Sequence, residues 1–214
     1  MSSDHEVKLT RFILVRHGQT EWNRVERFRG RADLSLNETG LRQARALGLK
    51  MKGWQIAAIY SSPLKRALET ADILSEHLNL PTQPLDGLID IDFGKWQGLS
   101  AEEATRQDSE LYTRWIEYPH LVRFPQGESL EDVRQRVMAA VESLADRHRD
   151  QTVILVSHKV VCQVLMCAML GLDNSHFWQV RQDVNAVNIF EIRDGIPLVT
   201  LVNDTCHLKS LAAG

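Results

Sequence analysis

Two histidines in this 214-residue chain each follow a short apolar run. Phe12-Ile13-Leu14-Val15 leads into Arg16-His17-Gly18-Gln19-Thr20, and Val153-Ile154-Leu155-Val156 leads into Ser157-His158. Such runs read as buried strands, and open parallel sheets bind ligands beyond the C-terminal ends of their strands. Arg16, His17 and His158 therefore stand where a site should form. A third run, Ile56 to Tyr60, ends in Ser61-Ser62-Pro63-Leu64-Lys65-Arg66. Ser62 reads as an N-cap and Pro63 as a first helical residue, so a helix is predicted from there to about His77, with Arg66 in its first turn. The free N–H groups of a helix start favour anions, and Arg66 adds a planar bidentate donor. Taken singly, each feature has a plainer reading: a structural histidine, a solvated arginine, a helix cap. It is their placement at the ends of three buried strands that points to an anion pocket with two imidazoles.

Phosphoryl transfer asks for stabilisation of charge on three equatorial oxygens and for an in-line nucleophile. An imidazole nitrogen can be that nucleophile, forming a phosphohistidine that divides one hard step into two. His17 is the candidate, with His158, Arg16 and Arg66 holding the transferring group. A leaving alkoxide needs a proton. Asp90 and Asp92 lie in the segment Leu88-Ile89-Asp90-Ile91-Asp92-Phe93-Gly94, and a carboxyl buried beside a phosphate dianion would have its pKa raised by like-charge repulsion.

The elements that must position these groups follow from patterning. Helices are predicted over Thr39 to Lys52, from Ser129 with Leu130, Val133, Val137, Val141 and Leu144 on one face, and over Val160 to Leu170. Short helical pieces are expected within 100–118, and late strands over Val184 to Ile192 and Leu198 to Val202, joined by an Asp194-Gly195 turn. Alternating strands and helices predict one α/β domain over 1–214: a three-layer α/β/α arrangement with a mostly parallel central sheet. Residues 87–128 are expected as an inserted cap over one end of that sheet. Hydrophobic residues at 43% and charged residues at 25% are ordinary globular usage, and a net charge of −3 argues against nucleic-acid binding through a basic surface. Met1 to Thr10 has no apolar core of the signal-peptide kind, and the longest apolar run, Val160 to Leu172, is too short to span a bilayer. The three cysteines fit a reducing compartment, so a cytoplasmic protein without membrane attachment is expected. Neither a Cys-x-x-Cys pair nor a helical His-x-x-x-His pair suggests a metal, and no P-loop is present. The apolar residues of 184–192 would serve equally as a homodimer edge or as a strand covered by its own chain.

The ordered set Arg16-His17-Gly18, Trp22-Asn23, Phe28-Arg29-Gly30, Ser61-Ser62-Pro63 with Arg66, Phe93-Gly94, Trp96-Gln97-Gly98, Gly127-Glu128-Ser129 and Val156-Ser157-His158 resembles the histidine phosphatase superfamily, in its phosphoglycerate-mutase-like branch, over about residues 11–207. The resemblance implies that His17 is the nucleophile, that Arg16, Arg66 and His158 complete the phosphate pocket, and that Gln19, Asn23, Phe28, Arg29 and Gly30 line it, with no cofactor. The general acid falls on Asp90, where glutamate is commonest, with Asp92 and then Glu21 as alternatives. The implied reaction is hydrolysis of a small-molecule phosphomonoester. A cofactor-dependent phosphoglycerate mutase is the alternative, and a non-catalytic phospho-ligand-binding module a further one. Hydrolysis is favoured because Arg106, Arg114 and Arg123 are scattered among acidic residues rather than clustered to grip a bisphosphate. Arg114 to His120 and the terminal Asn203 to Leu208 look similar to bacterial metal-independent phosphoserine phosphatases, which leaves two readings of His207: a substrate contact over the pocket mouth, or a solvent-facing histidine near the terminus. Phe93 departs from the polar histidine expected there. The physiological substrate stays open among phosphoserine, phosphoglycerate, sugar phosphates and ribazole phosphate.

Overall fold

A computed structural model of the chain describes residues 9–211. Its framework is a six-stranded sheet in the order β3-β2-β4-β1-β5-β6. The strands are β1 (Leu9–Arg16), β2 (Ala58–Ser61), β3 (Thr82–Pro84), β4 (Gln151–Ser157), β5 (Val187–Arg193) and β6 (Ile196–Asp204). β3, β2, β4 and β1 run parallel, while β5 and β6 are antiparallel additions on the β1 side. Asp194 and Gly195 both take positive φ (49° and 81°), which is what the two-residue hairpin between β5 and β6 demands.

Period-2 alternation in the central strands feeds two separate cores. Phe12, Leu14, Tyr60, Val153 and Leu155 face one layer; Ile13, Val15, Ile59, Ile154 and Val156 face the other. The first core is covered by α6 (Leu130–Arg147) and α7 (Lys159–Met169), the second by α2 (Glu38–Met51) and α3 (Lys65–Leu78). α6 buries Leu130, Val133, Val137, Val141 and Leu144, the stripe its spacing requires. α7 is apolar all round and buries every residue from Val160 to Met169, because it is wrapped by protein on all sides. The short helix α1 (Glu21–Arg24) and the pair α4 (Ala101–Gln107) and α5 (Ser109–Glu117) complete the fold.

Several sequence expectations change. The third helix begins at Lys65, not at Pro63. The Ser62 hydroxyl is taken by His158, and the Lys65 N–H instead donates to Asp33 Oδ1 at 2.8 Å, a cap from far along the chain. The 184–192 stretch is no sheet edge: β5 lies between β1 and β6, and β6 is the edge, with Ile196, Leu198 and Val202 exposed. Cys162 and Cys167 are buried as expected, whereas Cys206 is exposed. The reading of Met1 to Thr10 falls almost wholly on residues outside the described ones. No helix among the described residues is long and apolar enough to cross a membrane.

Candidate active site

The parallel register sets the two histidines side by side. β1 and β4 pair through Arg16 and Ser157, so His17 and His158 leave adjacent strand ends. The ladder continues one step, His17 N donating to Ser157 O at 2.9 Å and Ser62 N to Val156 O at 2.9 Å. The imidazoles end 5.1 Å apart, centroid to centroid, and both are fully buried. Behind His17 the chain passes the start of α2 so closely that a Cβ on Gly18 would lie 2.7 Å from Gly40 O, and a Cβ on Gly40 would overlap Gln19 O. Two glycines are required at this crossing, which holds His17 against the helix.

His17 Nδ1–H donates to Gly18 O at 2.6 Å. That bond fixes the ring and assigns the lone pair to Nε2, which is buried and has no protein partner. Burial, then the charges of Arg66, Arg16 and Arg29, hold the His17 pKa well below its ordinary value, so the ring is neutral and nucleophilic near pH 7. The Ser62 hydroxyl accepts from Leu64 N (3.3 Å) and is hydrogen-bonded to His158 Nε2 (2.7 Å). His158 Nδ1 faces Asp90 Oδ2 at 3.6 Å, which favours the tautomer with its proton on Nδ1 and Nε2 accepting from Ser62. Burial and the Arg66 charge keep His158 neutral as well.

Arg66 is wholly buried and pinned by the carbonyls of Ala32 and Gly30 (2.7 Å each) and by Asp90 Oδ2 (3.0 Å). Arg16 is held by Gln182 O at 2.7 Å, and burial lowers its pKa to about 10. The Nε atoms of Arg16, Arg29 and Arg66 are buried without a protein acceptor. Unsatisfied buried donors of one sign, converging on two neutral imidazoles, form a cradle for an anion.

Asp90 rides on a loop tied down from two sides. Ser157 Oγ donates to Leu88 O (2.7 Å), and Arg136 donates to Gly87 O (3.0 Å) and Asp90 O (3.2 Å) while pairing with Glu128. Burial raises the Asp90 pKa, against the opposing pull of Arg66 and Arg29. Asp92 points elsewhere, accepting from Gly94 N (2.8 Å) and facing Arg31. Glu21 pairs with Arg24 on the surface.

A cleft of about 500 Å³ opens beside this cluster, lined by Arg16, Gln19, Asn23, Arg29, Trp115 and Lys159 among others. The profile of the histidine phosphatase superfamily (branch 1) matches residues 12–205. The chain belongs to that superfamily. Within it, the chain is 40% identical over 200 residues to phosphoserine phosphatase 1 of Hydrogenobacter thermophilus, covering 94% of this chain and 95% of that protein. It is 31% identical to a metal-independent phosphoserine phosphatase of Arabidopsis thaliana, covering 96% and 86% of the two chains. Among solved structures, Bacillus stearothermophilus YhfR superposes with a TM-score of 0.90 at 35% identity, covering 94% of this chain and all of that one. The chain is thus a hydrolase of the histidine phosphatase superfamily.

Within this family fold the remaining sequence candidates have distinct places. Asn23 lines the cleft, its Oδ1 accepting from Thr20 N and Oγ1 (2.9 Å each), which leaves its NH2 group for the cleft. Gln19 lines it too, and its Oε1 accepts from Asn37. Gly30 acts through the carbonyl that holds Arg66. Phe93 is buried edge-on against Phe28 and Trp115, two residues of the cleft lining, and stands behind that wall. His207 is not brought to the cleft: its Nε2–H donates to Asn185 Oδ1 (3.0 Å), and it lines a separate cavity with Arg42, Arg45 and Lys50. Tyr112, Trp115 and Ile116 of α5, within the 87–128 segment, form part of the wall, as do Gln163, Phe177 and Trp178. Trp22 lies against Gly98 and is not among the residues that line the cleft.

Proposed function

We propose that the chain hydrolyses a small-molecule phosphomonoester through a covalent phosphohistidine on His17. The observation that carries this reading is His17 Nε2: buried, unpartnered, on a ring fixed by Gly18 O and neutral among three guanidinium groups. The lone pair attacks phosphorus while Arg16, Arg29, Arg66 and His158 Nδ1–H bind the equatorial oxygens. Asp90, kept protonated by burial and by the incoming dianion, gives its proton to the leaving alkoxide. The resulting carboxylate then takes a proton from water as water attacks the phosphohistidine, which returns His17 and releases phosphate.

Hydrolysis is favoured over a mutase because the cations of the 101–129 segment are already engaged. Arg106 pairs with Glu102, Arg114 with Glu110 and Arg123 with Asp132, so these cations are dispersed among separate acidic partners rather than gathered into one bisphosphate site. The relatives named phosphoserine phosphatases place phosphoserine on the panel to be tried. The test is phosphate release from phosphoserine, phosphoglycerates, sugar phosphates and ribazole phosphate with chelator present. Release by the native chain and none by His17→Ala is expected; full activity in His17→Ala would overturn the reading.

A further inference from the structure

Lys159 follows His158 directly as the first residue of α7 and lines the cleft rather than turning away from it. Its half-buried ammonium sits 5.6 Å over the Trp178 ring. Trp178 is itself held, its Nε1–H donating to Trp115 O at 3.0 Å and its ring edge-on to Trp115 at 5.1 Å. The ammonium is therefore presented by a fixed aromatic wall. Each of the cleft's other cations has at least one protein oxygen as acceptor. Arg16 donates to Gln182 O, Arg29 to the carbonyls of Trp22 and Arg27, and Arg27 to Gly98 O and Glu103. Among the described residues no carboxylate lies within ion-pair distance of Lys159 and no oxygen accepts from it. With no protein acceptor of its own, the ammonium is available to an anionic ligand in the cleft. Burial, then the nearby Arg16 and Arg29, lower the Lys159 pKa, against the opposing pull of Glu26 and Asp183.

We propose that Lys159 is the specificity-determining residue of the cleft, reading a second anionic group carried by the leaving alcohol. The preferred substrates are then phosphomonoesters whose alcohol bears a carboxylate or a further phosphate, with room along Trp115 and Trp178 for an apolar body. This rests on the phosphatase reading of the same site and deepens it. Phe93 does not enter, because it backs the wall from behind.

The experiment measures kcat and KM separately for the native chain, Lys159→Met and Lys159→Arg. The esters are phosphoserine, 3-phosphoglycerate, fructose 1,6-bisphosphate, glycerol 3-phosphate and phenyl phosphate. The native chain is expected to prefer the esters with a second anion. In Lys159→Met that preference, taken as the ratio of kcat/KM to that for phenyl phosphate, falls about 10- to 100-fold, mainly through KM, as expected for one lost charge-assisted contact. Lys159→Arg keeps most of it. A preference confined to phosphoserine and phosphoglycerate identifies a carboxylate, and one confined to the bisphosphate identifies a phosphate. An equal fall for all five esters, placing Lys159 on the transferring phosphoryl group, overturns the proposal, as does no change in the ratio. Native turnover without preference for charged alcohols refutes the proposal alone, whereas no native turnover of any ester refutes the phosphatase reading beneath it.

Discussion

Replacing Asp90 by asparagine preserves the side chain's shape and removes its proton. In the fold, Asp90 Oδ1 accepts from Ile91 N (3.0 Å) and Oδ2 from Arg66 Nη2 (3.0 Å). An amide offers one acceptor oxygen, so one of these donors loses its partner. Arg66 retains the carbonyls of Gly30 and Ala32, so the loss amounts to about 1–3 kcal/mol of stability and the variant folds. The catalytic loss has a different signature. An alkoxide expelled without a proton forfeits the full general-acid contribution, about 100- to 10,000-fold in rate, or about 3–5 kcal/mol in barrier. A nitrophenolate leaves unaided, so the same variant should lose less than about 10-fold on an aryl ester of low leaving-group pKa. The assay is kcat/KM across alkyl and aryl phosphates, plotted against leaving-group pKa, for the native chain, Asp90→Asn and Asp92→Asn. A steeper slope in Asp90→Asn alone is expected, because Asp92 caps Gly94 N and faces Arg31. A uniform loss across the series in Asp90→Asn would refute the reasoning, since Asp90 would then serve only to hold Arg66.

Other expectations follow from the same contacts. Ser62→Ala removes the hydroxyl bonded to His158 Nε2, and kcat should fall about 10-fold with the fold intact, as read by steady-state kinetics alongside thermal unfolding. Arg29→Met removes a positive charge that lowers the pKa of both His17 and Asp90, so both limbs of the pH profile of kcat/KM should move to higher pH; the cation's loss raises each pKa, and a profile shifted downward would contradict the assignment. Gly40→Ala places a methyl group against Gln19 O where the chain crosses α2, and denaturant unfolding should show a loss of about 1–3 kcal/mol, with activity reduced through the displaced His17 loop.

Much of this site is local in sequence and could be read there. An apolar strand followed at once by histidine occurs twice, and parallel pairing of those strands makes the two rings neighbours without further information. The same holds for Arg66, whose helix follows the end of β2. The unread parts depend on approaches across the chain. Lys65 N is capped by Asp33, 32 residues away, so the helix start shifted although the local Ser-Pro signal was sound. The choice between Asp90 and Asp92 turns on which carboxylate meets Arg66 and which meets Arg31, and neither arginine is adjacent to the loop in sequence. The resemblance of residues 203–208 allows His207 a place over the pocket mouth, but the segment Cys206–Leu211 packs on α2, and burial with the nearby Lys50 charge lowers its pKa to about 4 there. The place of Lys159 depends on an aromatic wall built from α5 and the turn at Asn174–Gln179, both distant from it in sequence.

The central claim is that His17 Nε2 carries the phosphoryl group. Its most direct test is rapid acid-free quench of the chain with a labelled phosphomonoester, followed by peptide mapping. The account predicts an acid-labile, alkali-stable phosphoryl adduct on the peptide containing His17, formed within one turnover and absent in His17→Ala. Turnover with no adduct at any time, or an adduct that persists in His17→Ala, would contradict it.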